Sequence, residues 1–335
     1  MLNKNDIKAY ACINKNSSVR IKSTSGGMFY ELASLIIDEG GEVCAAKFDD
    51  NFQVRHTFCN NKNELLDFLG RKYAPSMLDG IYLKIKEKLE NGIKLMFVGT
   101  PCQVNSLSMY LNKKYENLIL VDFICHGVPE RKIWNKYLQC LQKKGKIKGI
   151  SFRSKDTGWN DYSFKVEYSD GKDLVEKRYD NAYLQGFVQD LFLREVCYHC
   201  KNRGLNRNSD ITLGDFWGVE KQLPNISDDM GTSAVMINTY KGVDIFSKIS
   251  SGFEVYPVRL EQITDGNPSY YNNVKPHKNR QKFMRKVDKK KNIENWININ
   301  LKDSFLVRIK NKIKTVRLRL NKSRKEKQNV HRFNK

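Results

Sequence analysis

A chain of 335 residues, 40% of them hydrophobic, is long enough for about two domains and a sizeable core. It holds no apolar run near the roughly 18 residues of a spanning helix, and its start lacks the apolar stretch of a secretory leader. The expectation is a cytoplasmic protein whose eight cysteines are thiols or ligands, not disulfides. The net charge of +22 is local: residues 275–335 carry 22 Lys/Arg against 4 Asp/Glu, which leaves +4 for residues 1–274.

In chain order, residues 9–21 read as a short strand and turn. Ser25-Gly26-Gly27 then opens a helix whose apolar positions Met28, Phe29, Leu32, Leu35 and Ile36 fall at helical spacing, with Gly40-Gly41 as its stop. Such a small-residue start offers amides and a favourable dipole to a phosphate, or is a plain cap with flexible glycines. Glu42–Phe48 and residues 52–58 read as strands, 64–69 as a short helix before Arg71-Lys72-Tyr73, and Ile81–Glu90 as an amphipathic helix. Two apolar strands follow at 95–98 and 118–124, joined by a helix over 104–111. Thr100 is placed to cap that helix with Pro101 at its first position, which puts Cys102 in the first turn, where the dipole favours a thiolate. Pro129 begins a helix reaching about residue 144. Strands at 150–153, Ser163–Tyr168 and 173–177 come next, with Ser169-Asp170-Gly171 as a hairpin turn. Residues 181–196 read as one helix running into Cys197-Tyr198-His199-Cys200. Strands at 210–213, 233–238 and Phe253–Val258 and a helix at 242–249 complete the globular part. The pattern predicts an α/β fold: a mixed sheet with flanking helices, a strand-rich second half and a basic helical C-terminal tail. The units are placed at 1–147, 148–274 and 275–335.

Cys102 and Cys125 stand just after two neighbouring strands, at the carboxyl ends where ligands of open α/β sheets collect. Cys197-x-x-Cys200 has a spacing that lets two sulfurs chelate one centre. Four such thiolates suit a 4Fe–4S cluster and an all-cysteine zinc site equally, so spacing leaves the metal open. His126 and His199 also keep a mixed Cys/His zinc site open. Cys12, Cys44, Cys59 and Cys140 read as small buried apolar residues. Neither a Walker A pattern nor GxGxxG occurs.

The ordered series Ser25-Gly26-Gly27, Lys72-Tyr73, Gly99-Thr100-Pro101-Cys102-Gln103, Cys125-His126-Gly127, Phe152-Arg153, Gly158-Trp159, Cys197-Tyr198-His199-Cys200 and the DITLGDFWG stretch at 210–218 resembles the beta-subunit family of coenzyme F-420 hydrogenases and dehydrogenases. The likeness spans roughly residues 9–250. It implies an oxidoreductase that uses FAD and 4Fe–4S to pass electrons between a cluster and a two-electron acceptor. It favours iron–sulfur over zinc at Cys102, Cys125, Cys197 and Cys200. It also places Ser25, Gly26, Gly27 and Thr100 near the cofactor, with Lys72, Arg153, Lys155 and Asp215 among its charged neighbours. Tyr73, Trp159 and Trp217 are the aromatic candidates for stacking on the isoalloxazine, or are core. The longer members carry an N-terminal ferredoxin-like segment that is missing here, so a separate donor such as ferredoxin is expected. Arg71 departs from the serine common before Lys-Tyr. Many bacterial relatives are associated with exopolysaccharide biosynthesis, and a noncatalytic zinc-stabilised accessory protein of polysaccharide assembly is the alternative expectation.

In the tail, Phe305, Ile309, Ile313, Val316 and Leu320 recur at helical steps among basic residues. Residues 304–327 thus read as a basic amphipathic helix suited to an anionic membrane surface on the inner face. No nucleic-acid motif accompanies the charge, so nucleic acid is not an expected partner.

Overall fold

The computed structural model describes residues 7–205 and 207–302. In chain order its strands are β1 (Lys8–Asn14), β2 (Glu42–Phe48), β3 (Val54–Cys59), β4 (Leu95–Gly99), β5 (Leu118–Phe123), β6 (Ile147–Ser154), β7 (Ser163–Tyr168), β8 (Leu174–Lys177), β9 (Ile211–Asp215), β10 (Ser233–Ile237) and β11 (Phe253–Val258). Among the described residues they form an eight-stranded sheet, ordered β11-β1-β10-β9-β5-β4-β2-β3, and a three-stranded one, β6-β7-β8. β2, β4, β5 and β9 run parallel, with Gly99 opposite Asp122 and Phe123 opposite Leu213. β10 is antiparallel to both β9 and β1. The ends of β1, β4, β5 and β9 and the start of β10 therefore share one edge. The large sheet draws strands from both sides of residue 147.

Period-two alternation decides which face each strand residue covers. Tyr10, Cys12, Val235 and Ile237 face the helices Met28–Asp38 and Tyr240–Ile249, which bury Leu32, Ile36, Ile245 and Phe246. On the other face Leu95, Phe97 and Leu118 pack on Ile85, Leu89, Val104 and Leu107 from Ile81–Glu90 and Pro101–Leu111. Ala9, Ala11, Ala234 and Met236 continue that face under Phe216, Ile263 and Tyr270. The small sheet has its own core. Phe152, Phe164 and Val166 pack on Trp134 and Tyr137 of the helix Arg131–Gln142 and on Phe283 and Ile297 farther along. The mixed sheet, flanking helices and strand-rich second half are as the pattern predicts.

Residues 181–196 are not one helix. The chain forms Ala182–Val188 and then a single turn, Glu195–Tyr198. Leu191, Phe192 and Leu193 are all buried, and three successive residues cannot all lie on one helix face. The chain turns at Asp190 (φ 60°) and pairs instead with 128–130, where Glu130 N–H donates to the Phe192 carbonyl at 2.9 Å and Arg194 N–H to the Val128 carbonyl at 2.8 Å. Within the basic segment 275–291, the helix Arg280–Lys286 buries Phe283. The basic amphipathic stretch 304–327 lies outside the described residues. No helix among the described residues is long and apolar enough to cross a membrane.

Candidate functional site

The cysteine corner starts at β4. Thr100 adopts the extended backbone of a cap, Pro101 is the first helical residue, and Gln103 Oε1 accepts from the Thr100 amide at 2.9 Å. Cys102 is exposed in that first turn, with its Sγ 3.1 Å from Thr100 Oγ1. Beneath it lies a buried histidine. His56 Nε2 is 3.0 Å from the Val98 carbonyl, and its Nδ1 is 2.6 Å from Ser76 Oγ. Ser76 Oγ in turn accepts from Gln103 Nε2 at 3.3 Å. Burial pulls His56 down to about 4, so the ring is neutral at pH 7.

β5 delivers Cys125. Its register is locked by buried Asp122, whose carboxylate accepts from Thr212 Oγ1 at 2.6 Å and from Arg207 at 2.9 Å. The Cys197 and Cys200 sulfurs lie in reach of backbone donors, Val128 N–H and Asn202 N–H, each at 3.4 Å. Asn105 Nδ2 ties the Cys102 helix to Asn202 Oδ1 at 2.6 Å. Burial, then Cys102 and Cys197, and more weakly Cys200, push the Cys125 thiol up to about 12. Burial, with Cys102 and Cys200 nearby, raises Cys197 as well. Cys125 and Cys197 thus lie within electrostatic reach of the other thiols. Among the described residues no group of three or more His, Cys, Asp or Glu is close enough to hold a metal ion. The donor set suits a soft metal or cluster, and the corner gathers the sulfurs without bringing them to coordination distance. Burial raises the thiols of Cys12, Cys44 and Cys59 too.

A second cluster surrounds the end of β9. Asp215 is fully buried, bonded to Arg153 and 3.2 Å from Arg71. The Arg153 guanidinium lies 4.4 Å from the Tyr162 ring centroid and 4.8 Å from that of Trp217. Trp159 and Trp217 stack on each other at 4.8 Å, and Trp159 Nε1 donates to the Thr24 carbonyl at 3.1 Å. Two buried atoms keep no hydrogen-bond partner here: Asp215 Oδ1, an acceptor, and Arg153 Nε, a donor. Tyr73 stacks on Phe187 at 4.6 Å, and Phe187 in turn meets the His126 ring at 5.2 Å. This aromatic file joins the two clusters.

Ser25, Gly26 and Gly27 reach the same edge but are buried. Ser25 Oγ donates to the Thr232 carbonyl at 2.7 Å, and the Gly26 amide donates to Ser233 Oγ at 3.0 Å. A Cβ on Gly26 would stand 2.2 Å from the Cys12 carbonyl oxygen, so close packing against β1 requires glycine there. Lys72 turns onto the Phe68 and Leu69 carbonyls, both at 2.9 Å. Lys155 donates to the carbonyls of Arg20 and Met230 at 2.7 Å and of Ser25 at 3.1 Å. Both lysines are pulled down to about 7, chiefly by burial. Of the residues expected around a flavin, Ser25, Arg153, Trp159, Asp215 and Trp217 meet at this second cluster. Thr100 belongs to the cysteine corner, Tyr73 lies between the two, and Lys72 faces backbone. The sequence pattern does not reveal the Asp215 ion pair of Arg71, the hydrogen bonds that Arg203 donates to the Cys125 and His126 carbonyls at 2.9 Å, or the His56–Ser76 contact. A basic residue replacing the usual serine at 71 is the one available signal.

Two surface clefts, one lined by Arg20, Asp228 and Tyr256 and another by Lys94, Tyr240 and Asp244, include no cysteine. The sequence profile that describes the C terminus of the coenzyme F420 hydrogenase/dehydrogenase beta subunit matches residues 92–259. The fold is similar to a chain in the xenon-derivatised F420-reducing NiFe hydrogenase complex from Methanosarcina barkeri. The TM-score is 0.51 at 18% identity, over 87% of this chain and 89% of that one. No curated protein sequence matches the chain.

Proposed function

The chain belongs to the coenzyme F420 hydrogenase/dehydrogenase beta-subunit family, through its C-terminal region, and on that premise we propose that it is an iron–sulfur flavoprotein oxidoreductase. The observation that supports the reading is that contacts tie the Cys102, Cys125 and Cys197–Cys200 segments to one another: Asn105 Nδ2 donates to Asn202 Oδ1 at 2.6 Å, and Val128 N–H lies 3.4 Å from Cys197 Sγ. The four cysteines would hold a 4Fe–4S cluster, and the second cluster would contact FAD. A bound flavin would take up two electrons together and release them singly to a bound cluster, a conversion no side chain performs.

The chain's own residues prepare that chemistry. Each thiol gives up its proton on binding iron, and the Val128 and Asn202 amides can then donate to the Cys197 and Cys200 sulfurs. At the second cluster the aromatic faces and charges hold one another. What stays open is Asp215 Oδ1 and Arg153 Nε, an acceptor and a donor of the kind an imide edge would answer. The donor is a separate protein such as ferredoxin, and the acceptor a small molecule or a cofactor, in the setting of polysaccharide biosynthesis. The work takes place in the cytoplasm, with residues 304–327 able to hold the chain on an anionic inner membrane face.

Anaerobic purification followed by iron, sulfide, zinc and flavin analysis and a visible spectrum tests this. We expect about four irons per chain and bound flavin, the iron lost on prolonged aerobic exposure or on removal of the cysteines. A colourless protein with one zinc and no iron would instead support the accessory role. Sedimentation with anionic vesicles, lost after deletion of 304–335, tests the membrane contact.

A further inference from the structure

We propose that Arg203 is the positioning residue of the cysteine corner: it locks the two cysteine-bearing loops together and sets the positive charge beside their sulfurs. This rests on the cluster reading above and deepens it. Arg203 follows Cys200 by three residues, yet its guanidinium reaches the other loop. Its two terminal nitrogens donate at 2.9 Å to the carbonyls of Cys125 and His126. One of them also donates to the Ser269 carbonyl, while Nε donates to Asn273 Oδ1 at 2.9 Å. One side chain therefore fixes the path of the chain at Cys125, after Cys200 and at 269–273.

The chemistry of those partners carries the second half of the inference. All four acceptors are neutral oxygens. Arg153 and Arg207 differ, for each has a buried carboxylate, Asp215 and Asp122. The Arg203 charge is left for whatever anion its neighbours form. Four thiolates around a cluster are such an anion, and Arg203 lies within electrostatic reach of the Cys125 sulfur. A fixed cation beside a cluster favours the reduced state, which carries one more negative charge, and so raises its potential. Arginine suits both tasks: its planar fork can take several carbonyls at once, and it cannot lose its charge.

The test compares wild type, R203Q and R203K, each purified anaerobically as the full chain. Iron content, midpoint potential by spectroelectrochemical titration and amide hydrogen exchange of 125–128 are measured. R203Q removes the charge, and its reduction equilibrium should shift at least tenfold toward the oxidised cluster, about 59 mV for one electron. R203K keeps the charge and loses the fork. Its potential should stay within about threefold of wild type, while exchange at 125–128 quickens in both variants. A loaded R203Q with the wild-type potential would overturn the electrostatic role. If R203Q does not accumulate, an R203K potential shifted tenfold overturns it equally. Unchanged exchange in R203K overturns the clamp. Iron-free wild type overturns the cluster reading itself, a result distinct from all of these.

Discussion

The two clusters at the sheet edge are built on opposite electrostatic plans. At the end of β9 unlike charges meet: Arg153 and Arg71 converge on one buried carboxylate, and aromatic rings lie over the guanidinium. At the ends of β4 and β5 like groups meet, and burial together with neighbouring thiols raises the hold of Cys125 and Cys197 on a proton. The first arrangement stabilises itself. The second becomes attractive only around a cation, which turns four neutral thiols into four ligands. Removing one member should therefore cost stability in the Arg153–Asp215 cluster and occupancy at the cysteine corner.

The largest stability effect is expected at Asp215. Asp215→Ala leaves the guanidinium of Arg153, whose side chain is 2% exposed, without its carboxylate. Stranding a buried charge costs about 3–5 kcal/mol. Urea denaturation of the metal-free chain should show that loss, and a change below about 1 kcal/mol would mean that the cluster is not closed by charge. Next comes acid. His56 sits at about 4 in the folded protein against an ordinary 6.5, so between these values the unfolded chain binds more protons. Its stabilising contribution is complete above pH 6.5 and is lost as pH falls toward 4, by about 2–3 kcal/mol. Comparing urea midpoints of wild type and His56→Gln at pH 7.5 and 4.5 should show the steeper fall in wild type. Equal slopes would place the acid sensitivity elsewhere.

Much of this edge is legible in the chain. Cys102 and Cys125 follow two apolar runs separated by one helix, and a strand–helix–strand unit of that length brings its strand ends together. Thr100 and Pro101 spell the helix start in consecutive residues, and the helix begins there. The second cluster is a matter of long-range pairing. Nothing local joins Arg153 to Asp215, and nothing in Lys72 or Lys155 says that the ammonium turns onto carbonyls. Lysines near a family motif invite a reading as ligand contacts, whereas burial and three segment ends within reach decide otherwise for Lys155. The helix expected over 181–196 fails for a related reason. Its apolar content resembles a helical period, but Leu191-Phe192-Leu193 is a continuous buried run that needs extended backbone.

A smaller effect is expected at the cap. Thr100→Ala removes one N-cap oxygen from Pro101–Leu111 and should cost about 1 kcal/mol, read as a lowered urea midpoint of the metal-free chain. A cost well above that would give Thr100 a role in holding the corner beyond its helix.

The smallest stability effect should come from the residue with the largest effect on occupancy. Cys200 is half-buried, and its sulfur has one backbone donor nearby, Asn202 N–H at 3.4 Å. Serine keeps an acceptor of similar shape there, so Cys200→Ser should change the stability of the metal-free chain by less than about 0.5 kcal/mol. It also removes one of the thiols that raise the proton affinity of Cys125 and Cys197. The same change deletes a thiolate from the four, and iron per chain should fall at least tenfold under anaerobic reconstitution. Ser34 buries a comparable small polar group on the helix Met28–Asp38, which carries none of the four cysteines, and Ser34→Ala serves as the control that leaves iron unchanged. If Cys200→Ser retains full iron, Cys200 is not one of the ligands, and the contrast between a self-stabilised cluster and one completed by a cation loses its support.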